Sequence, residues 1–176
     1  LGNKYQVDYL NILAFNRIIF LPYKDISQYD LIILGGGISG IPRASDLYLY
    51  IPELYNLIKS VPNIKVLGIC YGMQFLYHLY YNKPVSLLPY RHQRLAIIHL
   101  SQQYTLGKKI KSIRARFNHR FYCPGISKGI ISKYNLLGYD ITIPVVVKFS
   151  DNHYGCQHHP LNQIDLINFI DKFINL

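Results

Sequence analysis

The residue best suited to do chemistry is Cys70, within Val66-Leu67-Gly68-Ile69-Cys70-Tyr71-Gly72-Met73-Gln74. It stands between an apolar run and an amphipathic stretch, where a strand would pass into a helix. A nucleophile held there needs a tight, strained turn. Gly68 and Gly72, two residues before and after it, remove the side chains that would collide in such a turn. The helix that follows would aim its first amides and its dipole at the sulfur, which predicts a site that favours thiolate. The same short pattern also suits a buried, inert cysteine, the usual state of a free cysteine in a core. By itself it leaves both readings open.

Near the other end of the chain His153, Cys156, His158 and His159 lie close together. They lack the paired ligand spacing of zinc sites, so no metal is expected. If His158 and His159 sit on one strand they point to opposite faces, and only one of them can reach Cys70. Cys70, Cys123 and Cys156 are odd in number and far apart, which argues against a disulfide framework and for reduced thiols. The formal charge of +10 is spread along the chain, with one run at Lys108, Lys109, Lys111, Arg114 and Arg116. That distribution suits a solvated face better than a nucleic-acid surface.

These residues must be positioned by the elements around them. The 176 residues, half of them hydrophobic, suit one domain spanning 1–176. Lys4 to Phe15 reads as an amphipathic helix on Tyr5, Tyr9, Ile12 and Leu13, and Arg17 to Leu21 as a short strand. Asp30 to Leu34 is an apolar run stopped by Gly35-Gly36-Gly37, as a buried parallel strand stops at a loop. A helix is expected from Asp46 to Ser60, a strand from Ile64 to Ile69, and a helix from Tyr71 to Tyr81 with Phe75, Leu76 and Leu79 on one face. Alternation of strand and helix calls for a parallel sheet with right-handed crossovers. The second half differs: Leu95 to Leu100, Ile110 to Phe117, Gly129 to Tyr134 and Pro144 to Phe149 read as successive strands joined by turns. A last helix, Asn162 to Phe173, sets Ile164, Ile167, Ile170 and Ile174 on one side. The fold class is α/β, a three-layer open sheet, mostly parallel, with antiparallel strands in the second half. No apolar stretch nears the roughly 20 residues that span a bilayer, and the start carries no signal pattern, so a cytoplasmic protein is expected.

Four blocks in order resemble one family. Gly68-Ile69-Cys70-Tyr71-Gly72-Met73-Gln74 resembles the nucleophile motif of the class I, or triad, glutamine amidotransferases, above all the glutaminase domains of GMP synthases. Tyr29 to Gly37 resembles the oxyanion-loop segment, Phe117-Asn118-His119-Arg120-Phe121 a loop lining the glutamine pocket, and Gly155-Cys156-Gln157-His158-His159-Pro160 the segment carrying the catalytic histidine. The resemblance implies a flavodoxin-like fold without cofactors. It makes Cys70 the nucleophile and His159, which directly precedes the proline, the base. Backbone amides of Gly36, Gly37 and Tyr71 become the oxyanion hole, and Gln74 with the main chain of Asn118, Arg120 and Phe121 the substrate pocket. The substrate would be L-glutamine or another γ-glutamyl compound, and His119 would shape its loop.

The pattern breaks in three places. The family carries a glutamate after the proline to orient the imidazole; here Leu161 stands there, and leucine accepts no hydrogen bond. The adjacent Asn162 is a candidate replacement, while Asp165 is expected to face elsewhere on the last helix. Relatives open on a central strand and a Gly-containing turn, and Leu1-Gly2-Asn3 resembles only the end of that turn. The Ser39 to Ser45 loop, with Arg43, lacks the family's proline pattern. Three functions follow: a glutaminase feeding ammonia to a separate synthetase, since this chain has no phosphate loop for ATP; a stand-alone γ-glutamyl hydrolase or peptidase; or a degenerate, binding-only domain.

Overall fold

In the computed structural model, residues 29–36, 56, 58–99 and 112–173 are described. The expected helix from Lys4, the strand from Arg17, the Ser39 to Ser45 loop, Gly37 and most of the helix from Asp46 lie outside them.

Two apolar segments of the first half become adjacent parallel strands, β1 (Leu31–Leu34) and β2 (Lys65–Ile69), in register from Leu31 opposite Lys65 to Leu34 opposite Gly68. The chain then turns at Cys70 into helix α1 (Tyr71–Tyr81). That helix closes at Asn82, whose left-handed backbone returns its N–H to the His78 carbonyl at 2.8 Å. On the other side of β2 lies β7 (His153–Cys156), also parallel, with Ile69 opposite Cys156. Beyond it β6 (Thr142–Lys148) and β5 (Ile130–Asn135) run antiparallel, giving the order β1-β2-β7-β6-β5. Ile143 and Val145 to Val147 are all buried, as a strand covered on both faces requires.

Alternation along β2 divides the core. Val66 packs with Leu34, Ile58, Phe75 and Leu76 beneath α1. Leu67 and Ile69 turn to the opposite face, against Phe117, Phe169 and Ile170. That face is covered by the last helix, α2 (Gln163–Phe173), and by a separate antiparallel ribbon of β3 (Ser86–His99) and β4 (Ser112–Tyr122). The result is the expected three-layer α/β sheet, parallel at its centre with antiparallel strands from the second half.

Three local expectations change. The strand foreseen from Leu95 begins at Ser86, because Tyr90 to Arg94 are polar or aromatic and a register shift between Leu87 and His92 breaks the alternation that marks a strand. The segment Phe117 to Phe121 is not a loop but the end of β4. Helix α2 buries Phe169 and Ile170 with Leu166 packed beside them, while Ile164 is 67% exposed. The stripe at i, i+3 and i+4 from Leu166 includes the buried Phe169, and it sets the rotation.

Candidate active site

Cys70 closes β2 with φ 53° and ψ −98°, a left-handed backbone that an L-residue adopts only when its surroundings enforce it. The enforcement is visible. Its N–H donates to the Cys156 carbonyl at 2.7 Å, fixing the turn to β7. A Cβ on Gly68 would come within 2.4 Å of the Gly72 carbonyl oxygen, and one on Gly72 within 2.1 Å of the Leu34 carbonyl oxygen. Both glycines are therefore required by close backbone approach.

The thiol is buried, and burial pushes it up to about 11, against two donors that pull it down, the Tyr71 backbone N–H and the Gln157 side chain. Burial works against the expected thiolate: the helix N-terminus does supply a donor, but loss of solvent outweighs it. Gln157 is fully buried, and its Nε2 donates to the Cys70 sulfur at 3.7 Å. No role for it was drawn from the sequence. Its position right after β7, beside the strand that ends in Cys70, was the available signal.

His159 reaches the same end of the sheet by a different route. Its N–H donates to the Arg116 carbonyl at 2.8 Å and its carbonyl accepts from the Arg116 N–H at 3.1 Å, so β4 clamps it. The ring lies over Gly36, where a Cβ would stand 2.6 Å from its Cε1. Since Leu34 is opposite Gly68, the Gly36 backbone, the His159 ring and Cys70 gather at the C-terminal ends of β1, β2 and β7. Open parallel sheets bind ligands at this end of their strands. Among the described residues no hydrogen bond joins Cys70 to His159, and none reaches either ring nitrogen of His159. Burial first, and then the Arg116 charge, hold the imidazole below its ordinary value. His158 turns away, buried with its ring against Phe117 and Phe169.

A sequence profile of the class I glutamine amidotransferases matches residues 4–163. The chain belongs to that family. A comparison with curated proteins finds no match. Among solved structures it is similar to a candidate GMP synthase component from Thermoplasma acidophilum, with 16% identity over 85% of this chain and 73% of the other, at a TM-score of 0.62. It is similar to a glutamine amidotransferase from Methylobacillus flagellatus, with 19% identity over 84% and 59% of the two chains and a TM-score of 0.61. A third, from Thermotoga maritima, shares 17% identity over 85% and 64%, at a TM-score of 0.54. The chain spans less than two thirds of the length of two of these three structures.

Within this amidotransferase domain, Gln74 is buried one helical turn after Cys70, and its side-chain oxygen has no partner among the described residues. The Asn118 side-chain oxygen accepts from Arg91 Nε at 2.9 Å. The Phe121 carbonyl accepts from His119 Nδ1 at 2.8 Å, so His119 braces the end of β4. The ladder has no register partner for Arg120, because it lies opposite the shift between Leu87 and His92. Tyr71 offers its N–H to the sulfur, and Gly37 lies outside the described residues. A cavity of about 710 Å³ opens beside His159, lined by Gln93, Arg94, Arg116, Asn118, Pro160 and Leu161 among others.

Asn162 does not turn toward the imidazole by any hydrogen bond of the described residues. Its side-chain oxygen accepts from the Asp165 N–H at 2.9 Å and caps α2. Nor do the clustered histidines and cysteines converge. His153 Nδ1 pairs with the Tyr80 hydroxyl at 2.7 Å at the far end of β7, and no three metal-ligating side chains meet among the described residues.

Proposed function

We propose that the chain is a glutaminase-type amidotransferase domain that splits the side-chain amide of L-glutamine through a thioester on Cys70. The observation that carries this reading is the convergence of a strained Cys70, the His159 ring and the Gly36 backbone at one end of the sheet. Cys70 gives its proton to His159 as the sulfur attacks the amide carbon. The developing oxyanion takes hydrogen bonds from the Gly36, Gly37 and Tyr71 amides. His159 returns the proton to the nitrogen, the carbon–nitrogen bond breaks, and ammonia leaves. Water then gives a proton to His159 and its oxygen to the thioester, the carbon–sulfur bond breaks as His159 passes that proton to the sulfur, and glutamate is released with the thiol restored. Gln74 and the main chain of Asn118, Arg120 and Phe121 hold the amino-acid end of the substrate. The ammonia passes to a separate synthetase, in the cytoplasm.

The test is ammonia release from glutamine, alone and with an added synthetase of the GMP synthase type. The reading predicts release that rises with the partner and is abolished in Cys70→Ala; release unchanged in Cys70→Ala refutes it. A second reading has its own observation, since His159 has Arg116 as its charged neighbour where a triad needs an acceptor. On that reading the domain binds glutamine without turning it over, which equilibrium binding with no ammonia release in any condition would support.

A further inference from the structure

The cavity beside His159 has a one-sided chemistry. Its lining includes the guanidinium-bearing residues Arg94 and Arg116 and the carboxamides of Gln93 and Asn118, with no carboxylate among the described residues. Arg116 is exposed, and Arg94 leans its guanidinium over the Tyr134 ring at 5.2 Å. At the rim stands Leu161, 39% exposed, an apolar group at the edge of a cationic hollow. His159 lines the same space, and neither of its ring nitrogens has a hydrogen-bond partner among the described residues. A base catalyst of this kind needs an acceptor on its second nitrogen, to fix the ring and to stabilise the imidazolium formed when it takes a proton. Among the described residues the charged neighbour of the ring is Arg116 instead.

We propose that this cavity is a binding site for a small carboxylate, which pairs with Arg116 and stands as the missing acceptor for the His159 imidazole. A carboxylate suits the place on three counts. Its two oxygens match the planar fork of a guanidinium. It neutralises the charge that holds the imidazole below its ordinary value. Its remaining lone pairs accept from a ring N–H. Among the described residues the other charged or titratable groups near the ring are Arg94 across the cavity, the Cys70 thiol at the same end of the sheet, and His158 and His119, on whose protonation His159 acts. None of them is an acceptor of the required charge. The catalytic consequence rests on His159 being the base of the proposed glutaminase; the binding site does not.

The probe is acetate. The protonation of His159 is followed by NMR in the whole chain, with the resonance assigned by His159→Gln, in sodium acetate and in sodium chloride of equal ionic strength. Seating an opposite charge within reach of the ring predicts an upward shift of about one pH unit in acetate. The shift shrinks in Arg116→Gln. In Leu161→Glu, where the chain supplies its own carboxylate, it disappears because the value already starts high. Identical titration in acetate and chloride overturns the proposal. Alkylation of Cys70 by a glutamine-like electrophile is measured alongside. A titration shift with no alkylation under any condition upholds the carboxylate site and sinks the glutaminase reading. Alkylation that ignores acetate, with no shift, sinks the site and leaves that reading standing.

Discussion

Replacing Gly36 by alanine tests whether the His159 ring sits where a base must. The new methyl would stand 2.6 Å from Cε1, about 1 Å short of an ordinary carbon–carbon contact of about 3.5–4.0 Å. Gly36 does not hold a positive φ, so alanine is conformationally permitted there and the backbone has no reason to change. What must yield is the end of a side chain. The fold should therefore keep its stability to within about 1 kcal/mol, as for other substitutions outside a packed core. The chemistry should not. A displacement of about 1 Å at a catalytic group costs on the order of 100-fold in rate, about 2.7 kcal/mol of barrier. The assay is the rate of Cys70 alkylation by a diazoketone analogue of glutamine, with thermal unfolding on the same samples. Gly35→Ala is the control, since nothing among the described residues lies within 4 Å of a Cβ there. Wild-type alkylation by Gly36→Ala with unchanged melting would mean that the ring over Gly36 takes no part in the reaction.

Other consequences follow from the same geometry. Gly72→Ala sets a methyl 2.1 Å from a backbone oxygen of β1, where no side chain can yield; a loss of about 3 kcal/mol or more in denaturant unfolding is expected, and a neutral result would refute the close packing of the elbow. Gln157→Leu removes a donor to the sulfur, so the alkylation of Cys70 should need higher pH than in the wild type, by about half a unit to one unit. His119 and His158 are buried and held down to about 4 and about 3, so the folded state binds fewer protons than the unfolded chain between those values and 6.5. Stability present above 6.5 is then lost on acidification, at up to about 1.4 kcal/mol per pH unit for each histidine. Melting temperatures that stay level from pH 7 to pH 4.5 would contradict this. Cys70 works at the other extreme. Its value is raised from 9.0 to about 11, so stability should fall as pH rises through that window, and Cys70→Ala should remove that part of the slope.

The turn at Cys70 and the strand ends around it were readable where covalent geometry left little choice. Gly68 and Gly72 announce backbone approaches that only glycine permits, and the abrupt stops of the apolar runs at Leu34 and Ile69 mark strand ends that bring distant segments to one edge. The ribbon was harder, because β3 carries exposed Leu87, Leu95 and Ile97 beside buried His92, so polarity and burial are uncoupled along it. The rotation of α2 depends on which stripe meets Phe117 and Leu67, a tertiary preference that periodicity in isoleucines does not report. Electrostatics were the least legible. The dipole at a helix N-terminus can be read from sequence, whereas the burial that overrides it at Cys70 cannot. Arg116 beside His159 arises from a bridge between segments more than forty residues apart.

The most direct test of the central claim is mass spectrometry of the folded protein after incubation with the diazoketone analogue of glutamine. One adduct per chain on Cys70, protected by glutamine and formed much more slowly in His159→Asn, with the buried Cys123 and Cys156 unmodified, is the predicted result. An unmodified Cys70 in folded protein, or labelling indifferent to both glutamine and His159, would contradict the account.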